Sequence, residues 1–141
     1  MNTYDWTTMD ALYPRLLVDD FPACALFYER VLRELLGIEP AKVVPQARYA
    51  SWDAEGGTLL SLFDRAALAE AVGAGGPPDA AARDRAMLTF RVPDVDAAAA
   101  TLTGFGARPV AAPQDRPQWG PGLRTAHLRD PEGNLLELQS Y

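Results

Sequence analysis

One cysteine, one histidine and no apolar run of membrane-span length set the first limits on this 141-residue chain. A lone cysteine, Cys24, can form neither an internal disulfide nor a thiolate metal cage, so the fold has to rest on an apolar core. Its place in a helical apolar pattern makes it a small core residue. The opening MNTYDWTTMD carries no basic stretch followed by an apolar one, so no secretory signal is expected, and a cytoplasmic protein is the default. Basic residues are in deficit: 13 Lys and Arg against 19 Asp and Glu leave a formal charge of −6. Nucleic acid and anionic membrane are therefore not expected partners. What is present is ordinary globular material, 48% hydrophobic and 23% charged, enough for one domain.

The most informative stretch is Arg124 to Leu138. Asp130-Pro131-Glu132-Gly133-Asn134 has turn chemistry: Pro131 presets φ, and Gly133 or Asn134 accepts a positive φ. The flanks alternate as half-buried strands do. Ala126, Leu128, Leu136 and Leu138 share an apolar face, whereas Thr125, His127, Glu137 and Gln139 share the other. One hairpin thus sets an imidazole and a carboxylate on one sheet face.

Along the chain, residues 1–10 read as an arm. Residues 12–18 read as a strand whose Pro14 restricts it to an edge or an irregular start. Asp20 caps a helix with Pro22 in its first turn; Cys24, Phe27, Tyr28, Val31, Leu32 and Leu35 line one face, and Gly37 ends it. One or two strands follow over 42–52, then a turn at Asp53–Gly57, a strand from Leu59 to Phe63 and a short helix from Asp64 to Val72. The Gly- and Pro-rich segment 73–85 is a linker; with no feeding strand and no Lys-Ser/Thr after it, it is no phosphate loop. Met87–Val92 is a strand, Asp94 caps a helix to Thr103, and Pro109–Ala112 forms a short strand. A loop rich in Pro, Gln and Trp leads to the final hairpin.

The two halves repeat. Leu16-Leu17-Val18-Asp19-Asp20 parallels Phe90-Arg91-Val92-Pro93-Asp94, Asp53-Ala-Glu-Gly56 parallels Asp130-Pro-Glu-Gly133, and Leu59–Leu62 parallels Leu135–Leu138. Each half reads β-α-β-β-β, the first over 11–72 and the second over 86–141. Neither would bury its sheet alone, so the halves should pair about a pseudo-two-fold axis in an α+β domain of two βαβββ modules. Strand parity then collects Tyr13, Arg15, Ser61, Phe63, Met87, Thr89, Arg91, Thr125, His127, Arg129, Glu137 and Gln139 on the mixed faces.

This duplicated pattern, with Trp119-Gly120 and Arg129-Asp130-Pro131-Glu132-Gly133-Asn134-Leu-Leu-Glu137-Leu138, resembles the vicinal oxygen chelate superfamily of glyoxalase I, extradiol dioxygenases and the bleomycin and fosfomycin resistance proteins. The resemblance implies sheets curled around a pocket, and a homodimer. Its metal-ligand positions fall on Tyr13, Ser61, Met87 and Glu137. Of these only Glu137 is a strong donor for a hard or borderline ion, so no metal cofactor is expected.

The function expected is a metal-independent, bleomycin-resistance-type protein holding a planar or amphipathic small molecule. Tyr13, Phe63, Met87 and Trp119 would supply flat apolar surface, with Arg15, Ser61, Thr89 and Thr125 as polar contacts. The alternative is a lyase, isomerase or hydrolase with Glu137 and His127 as acid and base. Three local alternatives stay open. Trp119 is a lid or a plug. Arg15 and Arg91 meet an anionic group or water. Glu137 pairs with His127 in the pocket, or with Arg15 or Tyr13 as a structural carboxylate.

Overall fold

The computed structural model describes residues 12–73, 84 and 86–141. The expected arm at 1–10 lies outside the described residues, as does the linker apart from Gly73 and Asp84.

Each half begins with a short edge strand feeding a helix. Strand β1 (Arg15–Val18) leads to helix α1 (Phe21–Leu36), and the same device recurs as β5 (Met87–Arg91) and α3 (Val95–Gly104). The helix starts share one cause. The Asp20 carboxylate accepts from Ala23 N at 3.2 Å and that of Asp94 from Ala97 N at 3.0 Å, each satisfying a first-turn donor. Gly37 ends α1 with φ +66°, a conformation that costs other residues a Cβ clash. The short helix α2 (Arg65–Val72) is capped in the same way by Asp64.

Two four-stranded mixed sheets result. The first contains β1, β2 (Lys42–Val44), β3 (Tyr49–Ala54) and β4 (Gly57–Asp64) in the order β1-β4-β3-β2; the second contains β5, β6 (Arg108–Asp115), β7 (Arg124–Arg129) and β8 (Leu135–Ser140) in the order β5-β8-β7-β6. The topologies are identical, as the repeat predicts: β1 pairs parallel with β4, and β5 with β8. β1 does lie at a sheet edge and starts only after Pro14, whose carbonyl still accepts from Ser61 N at 3.2 Å.

One boundary differs from expectation. β6 is eight residues long rather than the short Pro109–Ala112 piece, and takes in part of the segment read as loop. It is an edge strand with register shifts beside Pro109 and between Ala111 and Gln114. At an edge, prolines without a donor are tolerated.

The apolar faces lie under the helices. Val18, Leu60, Leu62, Leu136 and Leu138 are buried with Phe27, Tyr28, Leu32 and Trp52 in one continuous core, and Cys24 is fully inside it. The helices are not equivalent in bulk. α1 fills its side with aromatic and leucine side chains, whereas α3 buries only Val95, Ala98 and Leu102.

A polar clasp joins the halves. Tyr28 Oη in α1 donates to Asp130 Oδ2 at 2.6 Å, and Asp130, fully buried, also accepts from Asn134 Nδ2 and from the N–H groups of Glu132 and Asn134 at 2.8–2.9 Å. Gly133, at φ +93°, lets the turn fold back so those N–H groups converge. Glu132 then reaches across to accept from Asp19 N at 3.0 Å and Asp20 N at 2.7 Å. Asp53 does not match Asp130 in role. It is exposed, and β3 and β4 are joined by a tight Glu55-Gly56 turn with both φ values positive, 52° and 82°.

Candidate functional site

Strand alternation places three cross-strand rows on the polar face of the second sheet. The middle row is Thr89–Glu137–His127–Ala111 across β5, β8, β7 and β6. The next is Arg91–Gln139–Thr125–Gln114. The third is Met87–Leu135–Arg129–Arg108. His127 Nε2 lies 2.9 Å from Glu137 Oε1, and the two side chains are 13% and 15% exposed. Of the partners considered for Glu137, this is the one it takes; Arg15 and Tyr13 are engaged elsewhere. A carboxylate only accepts, so Nε2 carries the hydrogen. In the neutral ring, Nδ1 is then the acceptor.

The loop between β6 and β7 borders these rows. Arg116 N donates to Leu123 O at 2.8 Å and Trp119 N to Arg116 O at 2.9 Å, which closes the loop on itself. Trp119 is 54% exposed, too open to be a plug. Its ring meets His127 edge-on, centroids 6.2 Å apart, and the Arg116 guanidinium lies 4.4 Å from the ring centroid. Arg116 Nε also donates to Thr125 Oγ1 at 3.3 Å, and Thr125 is fully buried although it belongs to the polar face.

The first sheet carries a separate cluster. Arg15 Nε donates to Ser61 Oγ at 2.8 Å and its Nη2 to Tyr13 Oη at 3.3 Å; the guanidinium lies between the Tyr13 and Tyr49 rings, 5.9 and 5.6 Å from their centroids. Phe63 meets Tyr49 edge-on at 6.3 Å. Each cluster is tied within its own sheet. The structure links His127, Glu137, Trp119 and Thr125 through contacts in one half, and Tyr13, Arg15, Ser61 and Phe63 in the other. Met87 is 40% exposed and sits opposite Leu135, one row from Glu137. Thr89 is exposed beside Glu137.

The family's metal positions can be tested on this donor set. Ser61 Oγ accepts from a guanidinium, and a divalent ion would have to displace that cation. Tyr13 shares the same guanidinium, Met87 offers a thioether, and His127 is held by Glu137. Among the described residues no three of His, Cys, Asp and Glu converge. These residues do not fit a divalent metal centre of the family type.

Two cavities border the helices. One, about 410 Å³, runs between α1 and β5 and is lined by Leu32, Leu35, Leu60 and Phe90 together with Thr89 and Arg91, among others. The other, about 480 Å³, lies between α3 and β6 and reaches His127 from behind. Both are mostly apolar.

Sequence reasoning missed Arg116 and Tyr141, which contact the polar face of the second sheet, and Tyr49 in the cluster of the first sheet. The available signal for Arg116 was an arginine three residues before Trp119 in a turn-rich segment. No local signal marks Tyr49 or Tyr141, which join through packing.

Among the described residues no helix is long and apolar enough to cross a membrane. The chain is 34% identical over 131 residues to the uncharacterized protein YraH of Bacillus subtilis (strain 168), covering 92% of this chain and 97% of that one. A glyoxalase-related enzyme from Fulvimarina pelagi superposes with a TM-score of 0.70 at 20% identity, covering 95% of this chain and 89% of that one. A glyoxalase/bleomycin resistance protein/dioxygenase family enzyme from Burkholderia phytofirmans PsJN does so with 0.67 at 20% identity, covering 91% and 95%. These likenesses carry the fold, two paired βαβββ modules of the vicinal oxygen chelate type. The glyoxalase-like domain profile matches residues 12–139, nearly every described residue, and the chain belongs to that family.

Proposed function

We propose that this chain is a metal-independent small-molecule-binding protein of the bleomycin-resistance type, taking a planar, polar ligand on the polar face of its second module. The observation that carries this is the arrangement of Trp119, His127 and Glu137. A half-exposed indole lies edge-on to an imidazole that a carboxylate holds at 2.9 Å. An exposed indole face offers stacking area, and a fixed imidazole offers one directed polar contact, which together orient a flat ligand. The donor set at the family's metal positions supports the metal-independent part. In this reading two copies pair as a homodimer around the ligand clefts.

The same pair favours a second reading, an enzyme of lyase, isomerase or hydrolase type. Glu137 would orient the ring and Nδ1 would take a substrate proton. Calorimetric titration against planar aromatic metabolites and antibiotics, with and without chelator, separates the two. A binder gives micromolar affinity that survives the chelator, and His127→Ala and Glu137→Ala each cost about tenfold. Turnover that falls by orders of magnitude in both variants would favour the enzyme. A stoichiometric divalent ion removed together with binding would overturn the metal-independent reading.

A further inference from the structure

Among the described residues, eight of the ten arginines fall into two groups, and Arg30 and Arg108 belong to neither. Arg33, Arg48, Arg65, Arg124 and Arg129 each hold a side-chain carboxylate within 4.0 Å. Such pairs are routine at surfaces, and one of them, Arg129 with Asp84, lies on the polar face itself. Arg15, Arg91 and Arg116, which belong to the polar faces, hold none among the described residues. Each instead lies against an aromatic ring: Arg15 between Tyr13 and Tyr49, Arg116 on Trp119 at 4.4 Å, and Arg91 on Tyr141 at 3.9 Å. Among the described residues, then, no side-chain carboxylate neutralises these three guanidiniums, in a chain of net charge −6. Stacking fixes the plane of a guanidinium while leaving its edge donors open, which is the form that recognises an oxyanion.

Two of the three flank one row. Arg91 opposes Gln139, Gln139 opposes Thr125, and Arg116 donates to Thr125 Oγ1. Arg91 and Thr125 are two strand spacings apart, about 10 Å. The adjacent row holds Glu137 and His127, and Trp119 links the two by touching both Arg116 and His127. The bonds already made do not exhaust the donors. Arg116 uses Nε on Thr125, and Arg91 uses Nη2 on the Tyr141 main-chain oxygen at 3.1 Å. A guanidinium has five N–H groups.

We infer that the ligand of this face is a planar organic oxyanion, a carboxylate or phosphate on a flat ring. Arg116 and Arg91 grip the oxyanion above Gln139, and the ring lies toward Trp119 and His127. This inference rests on the binding reading proposed above and adds the charge of the ligand to it. Glu137 does not oppose it, because its Oε1 is already engaged by His127 Nε2 at 2.9 Å.

The test compares matched pairs on the full chain by calorimetry: 1-naphthoate against 1-naphthamide, and 1-naphthyl phosphate against 1-naphthol. At least one anion is expected to bind about tenfold or more tightly than its neutral partner and to weaken as salt rises. Arg116→Gln and Arg91→Gln should each remove that preference, whereas Arg33→Gln, on the outer face of α1, should leave it intact. Should a glutamine variant fail to fold, Arg116→Lys and Arg91→Lys keep the charge but lose the planar fork. Each should retain the salt dependence while losing affinity. Anions and neutral partners binding equally, or glutamine variants keeping the preference, would overturn the anion assignment and leave a neutral planar binder. If none of the four binds, both readings fall.

Discussion

Tyr28 and Asp130, 102 residues apart, meet in the interior with the phenol donating to the carboxylate at 2.6 Å. The contact fastens the first helix to the turn that aims Glu137. Removing the hydroxyl as Tyr28→Phe should cost about 1.5–3 kcal/mol, the range for a bond to a charged group. Asp130→Ala, which orphans three further donors, should cost more, about 3–5 kcal/mol. Urea denaturation reads both as a lower midpoint at unchanged slope.

Stability should decline at alkaline pH for the same reason. Burial, then the neighbouring Asp130 charge, pushes the Tyr28 phenol well above its ordinary 10.0. Burial, then Asp130, Glu132 and Asp20, pushes the Cys24 thiol above its ordinary 9.0. Both groups stay protonated in the folded chain after the unfolded chain has begun to ionise. Their contribution is whole below about pH 9 and falls as pH rises past 9 and then 10. Thermal melts from pH 7 to 11 should show this slope. Cys24→Ala should flatten its start and Tyr28→Phe its later part.

Glu132 satisfies two main-chain donors where β1 enters α1. Glu132→Ala should cost about 1 kcal/mol, the size of a lost helix cap. Glu132→Gln, which keeps an acceptor, should cost less in the same denaturation measurement.

The β3–β4 turn holds Glu55 at φ 52°, where a side chain is strained. Glu55→Asn suits this turn and should raise stability by roughly 0.5–1 kcal/mol. A fall in the melting temperature would contradict that.

His127 and Glu137 should be energetically coupled. A double-mutant cycle with His127→Ala and Glu137→Ala should give an interaction of about 0.5–3 kcal/mol in denaturation, as contacting half-buried partners do. Additive losses would mean that the 2.9 Å contact is idle in solution.

The parts of this molecule that were legible in sequence are those written in local chemistry. Asp20, Asp64 and Asp94 announce helix starts because a cap acts over three residues. The alternation of 124–138 fixed which side chains share a face with His127, since parity needs no partner. The extent of β6 was hidden because prolines argue against a strand until its edge position is known. The burial of Asp130 was hidden because its repeat counterpart, Asp53, is followed by the same Glu-Gly two and three residues on, yet among the described residues bonds no tyrosine. Arg116 was hidden because its stacking on Trp119 and its bond to Thr125 depend on how a loop closes, which spacing does not record.

The clasp between the halves is one-sided. The Asp130–Asn134 turn grips α1, while among the described residues no hydrogen bond ties the Glu55-Gly56 turn to the second half. The two hairpin ends should therefore answer opposite engineering questions. A peptide spliced in after Glu55 would ride outside the molecule and leave the folded pair intact. The same graft at Glu132 would unlatch one half from the other, making that turn the place to build a cleavable release.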